Sequence, residues 1–121
     1  MGCNIRNMAQ GKRSGFSWDY SERSDILNIH KEGFVTDGSA ELDDFTIDFS
    51  KTGEVVGVEI MNASEFLEPA GVTRGQLAKI EAGEVKVDRR KECDIVWVKL
   101  SFSDGNERMI PIPAPVAMEA E

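Results

Sequence analysis

The sequence predicts an α+β fold: an antiparallel β-sheet of about six strands built from hairpins, with one inserted helix near 73–82. Three observations lead there. Apolar residues alternate at period two through most of the chain, as strands with one buried face require. Clusters containing Gly, Ser, Asp and Asn punctuate those runs at hairpin spacing. One stretch only, from Thr73 onward, changes to helical spacing and carries cap residues at its start.

Taken in order, "FSWDY" sets Phe16, Trp18 and Tyr20 on one face, and "SERS" is short and polar enough to turn the chain. "DILNIHK" returns with Leu27 and Ile29 in phase. "HKEGFVTDGSAELDD" reads as a polar, turn-rich connection around Gly33 and Gly38. "DFTIDF" then places Phe45, Ile47 and Phe49 on one face, and "EVVGVEI" answers with Val56, Val58 and Ile60. A short helical turn from Ser64 has to end before Pro69, because the residue ahead of a proline is pushed out of the helical region. For the main helix, Thr73 supplies the N-cap, Gln76 completes a capping box and Val72 can pack on Leu77. Leu77 and Ile80 form its apolar stripe, and Gly83 is placed to end it. Strands resume with "GEVKVDRR" and "CDIVWVKLSF", the latter carrying Val96, Val98, Leu100 and Phe102 on one face. "SDGN" is a strong hairpin signal. "ERMIPIP" closes the sheet as an edge strand, since Pro111 and Pro113 cannot donate to a ladder.

The chain has 121 residues, 40% hydrophobic and 30% charged, with a formal net charge of −8. These values describe a globular chain rather than a disordered one. Its first fifteen residues hold Arg6, Lys12 and Arg13 and no acid, leaving 11 basic against 22 acidic groups in the rest. The expected organisation is a disordered basic head at 1–15, one folded β-rich domain at 16–113 and a flexible tail at 114–121. A body this acidic repels a phosphate backbone unless it carries a local basic patch. Cys3 and Cys93 are the only cysteines and His30 the only imidazole. That excludes a disulfide framework and a four-ligand zinc site, and reduced thiols fit a cytoplasmic location. No apolar run approaches membrane-spanning length. "MGCNIR" starts like an acylation signal, but Arg6 stands where a hydroxyl is needed.

The stretch from Asp48 to Glu59 is nearly a calcium-loop pattern, with Asp48, Ser50, Thr52, Gly53 and Glu59 at the template positions. Ser50 and Thr52 offer neutral hydroxyls where a hard cation needs carboxylates. Both flanks alternate at period two, whereas a calcium loop lies between helices. The stretch is therefore read as a Gly-containing hairpin turn, with no metal.

"WDYSERSDILNI" followed by "DFTIDFSKTGEVVGVEIMNAS" resembles the uncharacterised group known as domain of unknown function 2283. The matching positions are Trp18, Asp19, Asp25, Leu27, Ile29, Asp48, Gly53, Gly57, Val58, Glu59, Ile60, Ala63 and Ser64. Asn28 replaces an aromatic, Ser50 replaces an acid, and the chain from 67 onward lies outside the usual length of the group. The resemblance covers about 16–66. It implies a short prokaryotic β-rich fold and no known activity.

A second likeness is local. "AGVTRGQLAKIEAGE" is similar to the turn and recognition helix of phage-repressor helix-turn-helix proteins. In this alternative, a DNA-associated regulator would use residues 70–83, with Arg74, Lys79, Arg89 and Arg90 as contacts. Pro69 and the strand-like "IMNAS" leave little room for the first helix of such a motif. No catalytic set is legible: Asp43 and Asp44 read as a solvated strand entry, His30 as an exposed strand residue, and Cys93 lacks base partners. No Gly-rich phosphate loop or other cofactor motif is present. The leading expectation is a non-catalytic module forming a homodimer or binding a small protein partner. Ile95 and Trp97, opposite Val96 and Val98, together with Met109, form the apolar surface left over for that contact.

Overall fold

The computed structural model describes residues 8–13, 15–91 and 93–115. Among them, strands β1 (Met8–Arg13), β2 (Phe16–Ser21), β3 (Ile26–Lys31), β4 (Gly38–Leu42), β5 (Phe45–Phe49) and β6 (Val55–Ile60) form one antiparallel sheet. Its order is β1-β2-β3-β6-β5-β4. Helix α1 (Ala63–Phe66), a 3-10 turn (Glu68–Ala70) and α2 (Arg74–Leu77) lead into a second antiparallel sheet. That sheet contains β7 (Ile80–Asp88), β8 (Cys93–Phe102) and β9 (Glu107–Pro115) in sequence order. The α+β architecture is as the sequence predicts, with two sheets in place of one.

Period-two alternation decides which face each strand buries. In the large sheet one row runs Trp18, Ile29, Val58, Ile47, Ala40 and the next runs Tyr20, Leu27, Ile60, Phe45, Leu42. Tyr20, Leu27, Ile47 and Ile60 have no solvent exposure. The second sheet lays Val85, Val96, Val98, Leu100, Ile110 and Ile112 against them, and all belong to one core cluster. β7 is the strand that crosses over β1, β2, β3 and β6. The opposite face of the large sheet is polar: Asp19, Asn28, Glu59, Thr46 and Glu41 stand in one row.

Several expectations need correction. Residues 8–13, read as part of a disordered head, form strand β1, paired from Met8↔Ser21 to Arg13↔Phe16. Within β1, Gly11 is the seat of the Trp18 indole: a Cβ there would lie 2.7 Å from the ring. Residues 38–42, read as a connection, form β4, whose inward positions Gly38, Ala40 and Leu42 are too weakly apolar to announce a strand. The inserted helix is four residues long and ends at Leu77. Its capping box is present, yet Ile80 joins β7 and pairs with Phe102, because pairing with β8 outweighs a helical propensity already weakened by Gly75. Gly83, expected to stop the helix, lies in β7 facing Ile29 and Trp18. Finally, Ala114 and Pro115, assigned to the tail, continue β9. Residues 1–7 and 116–121 lie outside the described residues.

The turns at Ser50–Gly53 and in "SDGN" stand where the sequence puts them, and β9 is an edge strand as its prolines require. Asp43 and Asp44 form the β4–β5 turn rather than a strand entry, with Asp43 in the left-handed region at φ 51°. β5 and β6 shift register between Asp48 and Phe49, which accommodates the wholly buried Val56.

Gly57 provides the sharpest test of this packing. A Cβ there would sit 2.9 Å from the His30 ring, 3.1 Å from Asp48 Oδ2 and 3.1 Å from the Ile29 carbonyl oxygen. The imidazole can swing aside, but the carbonyl belongs to a paired strand. Gly57→Val is expected to lower unfolding free energy in urea by about 1–3 kcal/mol. At Gly38 an added Cβ meets nothing within 4 Å and φ is not positive, so Gly38→Ala is expected to be neutral or to stabilise by up to about 1 kcal/mol.

Candidate functional site

The densest polar cluster converges on Asp25. This residue closes the β2–β3 hairpin in the left-handed region at φ 58°, a conformation that Asp tolerates better than most side chains. Its N–H donates to the Ser21 carbonyl at 2.7 Å, and its own carbonyl accepts from Ala63 N–H at 2.9 Å. The carboxylate then takes four further partners. Oδ1 accepts from Tyr20 Oη at 2.6 Å and from Ser64 N–H at 3.0 Å. Oδ2 accepts from Ser64 Oγ at 2.7 Å and faces Arg74 Nη2 at 3.4 Å. Arg74 also donates to the Glu22 carbonyl at 3.2 Å.

Electrostatically the cluster is closed. Burial alone would raise the Asp25 carboxyl, but hydrogen bonds from Tyr20 and Ser64 and the Arg74 charge outweigh it and hold the group below its ordinary 3.8. Burial first, and then the bond to Asp25, push the Tyr20 phenol well above its ordinary 10.0. The carboxylate thus accepts three hydrogen bonds beside a guanidinium, and the phenol has no exposure. The arrangement ties one hairpin to the start of α1 and to α2. The sequence reading named Asp25 and Ser64 but not their pairing. The available signal was an acid in a hairpin turn and a hydroxyl just beyond the last strand of the motif.

The calcium-like stretch is a hairpin turn. Gly53 N–H donates to the Ser50 carbonyl at 2.9 Å with φ 88° at Gly53. Ser50 Oγ accepts from the N–H groups of Thr52 and Glu54, each at 3.3 Å. Asp48 Oδ1 accepts from Ser39 Oγ at 2.6 Å, while Glu59 stands across the sheet beside Asn28 and Thr46. Among the described residues no three His, Cys, Asp or Glu side chains come together as a metal site. His30, expected to be an exposed strand residue, is half-buried on β3, with Nε2 3.1 Å from Thr36 Oγ1. Two open hollows of about 190 and 310 Å³ flank the β8–β9 hairpin. The larger mixes Arg13 and Lys99 with Glu81, Glu84 and Glu107, with no convergence on one ligand charge.

The four cationic side chains of the DNA alternative are not gathered on a recognition helix. Arg74 faces Asp25, Arg89 pairs with Asp94 at 3.1 Å, and Arg90 holds Asp88 Oδ2 through Nε at 3.1 Å and Nη2 at 2.8 Å. Lys79 is exposed beyond α2. A helix of four residues rises about 6 Å, and residues 80–83 are strand, so 70–83 is not a helix-turn-helix. Ile95, Trp97 and Met109 do share one region, on the outer face of the small sheet. Trp97 lies in register with Lys86 and Pro111, Ile95 with Asp88 and Pro113, and Lys99 with Met109. Cys93 is in β8.

The Asp25 cluster generates a pH signature. With its carboxyl depressed, Asp25 contributes stability that is in place above its ordinary 3.8 and is lost as pH falls through the lower folded value,. The raised Tyr20 phenol contributes stability present below its ordinary 10.0 and lost as pH rises beyond it,. Asp25→Ala is expected to cost about 3 kcal/mol and to flatten the acid limb of a stability–pH profile. Tyr20→Phe is expected to cost about 1.5 kcal/mol and to relieve the alkaline limb. Arg74→Ala, at a half-exposed guanidinium, is expected to cost under about 1 kcal/mol.

Comparison with known proteins adds the following. Residues 18–64 match the sequence profile of the family described as "Protein of unknown function (DUF2283)". The same region is similar to the uncharacterized protein MJ0789 of Methanocaldococcus jannaschii, at 47% identity over 47 residues. That alignment covers 39% of this chain and 40% of the relative, so less than half of either is matched. No solved structure matches the chain. Trp18 to Ser64, from the ring seated on β1 to the hydroxyl that meets Asp25, is thus the part of this chain that carries the DUF2283 signature.

Proposed function

We propose that this protein is a non-catalytic interaction module that associates with a second copy of itself through the outer face of its three-stranded sheet. The observation that carries the reading is the side-chain pattern of that face. Inward, β8 and β9 present Val96, Val98, Leu100, Ile110 and Ile112 to the core. Outward, the same strands present Ile95 and Trp97, each half-buried, and Met109, 47% exposed. Lys86, Lys99 and Glu84 surround them in register. An aromatic centre with a charged rim is the composition that protein interfaces favour, and a two-fold dimer would place the same patch on both partners.

Other features support the absence of catalysis. The two groups with the most closely bonded environment, Asp25 and Tyr20, are spent on each other and on Ser64. On a separate point, no helix among the described residues is long and apolar enough to cross a membrane.

Sedimentation or light scattering tests the reading directly. The full chain is expected to show a concentration-dependent dimer, and Trp97→Glu or Met109→Glu to weaken it by about tenfold or more. A strictly monomeric mass up to roughly millimolar concentration, where even weak specific contacts form, would overturn self-association.

A further inference from the structure

We infer that the free edge of β4 is a strand-addition site for an extended segment of another protein, one that alternates Lys or Arg with bulky apolar residues. The inference rests on the interaction-module reading but uses a different surface from the Trp97 face.

An edge strand presents unpaired N–H and C=O groups, and proteins that leave one uncovered either blunt it or use it. The edges of this molecule are treated unequally. β9 has prolines at 111, 113 and 115, alternate positions. A proline keeps its place in a ladder only where its nitrogen faces away from the neighbour. The outward row of β9 therefore lacks donors at all three positions. β7 lies across the large sheet, against β1, β2, β3 and β6, and β1 in turn lies under β7. Among the described residues, β4 borders β5 on one side and no strand on the other. It has no proline, no bulge and no lysine.

The side chains along β4 specify what fits there. On the core face, Gly38, Ala40 and Leu42 stand in register with Phe49, Ile47 and Phe45. Nothing lies within 4 Å of a Cβ built on Gly38, and Phe45 and Phe49 are only half-buried behind these small residues. Large apolar side chains from an added strand would extend the inner layer over that shelf. Phe34, 38% exposed, and Val35, 81% exposed, flank the strand's beginning. On the other face Ser39 and Glu41 pair with Asp48 and Thr46. Residues 37–50 contain Asp37, Glu41, Asp43, Asp44 and Asp48 and no Lys, Arg or His. A second copy joined β4 to β4 would bring two such segments together, and like charges opposed across a ladder repel. A basic strand is attracted by the same charges. Because neighbouring strands in this sheet are antiparallel, the added strand is antiparallel to β4.

The test uses the full chain and a fluorescent peptide of about nine residues alternating lysine with valine, long enough to span β4. Binding is expected by anisotropy, weakened about tenfold by Glu41→Lys or by replacing the peptide's lysines with glutamate. Two N-methylated versions, one methylated on the valine amides and one on the lysine amides, provide the backbone control without altering the protein. One is expected to lose binding and the other to keep it, because only one row of peptide N–H groups faces β4. Amide hydrogen exchange at 38–42 is expected to slow on binding. Equal binding by both methylated peptides would mean adsorption to acidic charge and would overturn the proposal. So would binding that leaves 38–42 unprotected, or no binding at millimolar peptide. Protection of 38–42 in the free protein that Glu41→Lys abolishes would make the occupant a second copy, again overturning it. Trp97→Glu separates the two readings: it is expected to weaken the dimer by about tenfold or more while leaving peptide affinity within about twofold.

Discussion

The carboxylate of Asp25 is the point on which the rest of the architecture depends. Its backbone turns β2 into β3, its carbonyl receives the N–H of Ala63, and its two oxygens hold Tyr20, Ser64 and Arg74. Those partners come from β2, α1 and α2, so one side chain sets where the chain leaves the large sheet and where the second sheet begins. The energetic asymmetry matters more than the number of bonds. Each bond contributes a modest net stability, but removing the acceptor leaves a buried phenol and a helix-start N–H without a partner, which costs considerably more. This explains why a carboxylate in so enclosed a setting is compatible with stability: it is not an isolated charge but the acceptor of three hydrogen bonds with a guanidinium beside it,.

How much of this was legible in the sequence follows from where side chains alone carry the information. Strands β2, β3, β5, β6, β8 and β9 announce themselves because one face of each is apolar at period two. The turn at Ser50–Gly53 was legible for the same reason, since the alternation on both flanks excludes the helices that an ion-binding loop requires. β1 and β4 carry no such pattern. β1 exists because Gly11 admits the Trp18 ring, and β4 because β5 offers it an edge; both causes lie in other strands. The helix failed differently. Thr73 and Gln76 form the capping box that their spacing predicts, so its start was legible. Its end is set by Ile80 meeting Phe102, a partner 22 positions away that local periodicity does not contain. That Ile95, Trp97 and Met109 share the outer face of the small sheet was legible because outward apolar residues break the alternation.

Charge is distributed with the same economy. The polar face of the large sheet carries Asp19, Glu59 and Glu41, and the turn beside it Asp43 and Asp44, while Lys12 and Arg13 sit exposed on β1 at the opposite edge. The net charge of −8 is thus an uneven field, strongest along β4 and β5. Several cations are already committed to neighbouring acids: Lys31 to Glu54 at 2.8 Å, Lys12 to Glu32 at 3.4 Å, Arg89 to Asp94 at 3.1 Å. A polyanion meets repulsion over the large sheet, and the helices among the described residues are no more than four residues long. A cation-bearing strand meets attraction at β4, an edge strand with neither a proline nor a basic residue.

The matched segment 18–64 also shows why the remaining chain is more than an appendage. That segment carries a layer of side chains facing inward: Leu27, Ile29, Ile47, Val58 and Ile60, nearly or wholly without exposure. A sheet face of that kind is not stable against water; burial of each large aliphatic contributes about 1.5–3 kcal/mol, and a hairpin sheet with an open apolar face associates or unfolds. Nothing within 18–64 can supply the cover, because its own strands all lie in the one layer. In this chain the cover is β7 and the strands behind it, with Gly83 set against Ile29 and Trp18. The same region reaches back through Arg74 to the Asp25 carboxylate. Signature and extension therefore share one core and one polar fastening, and the geometry of each is defined by the other.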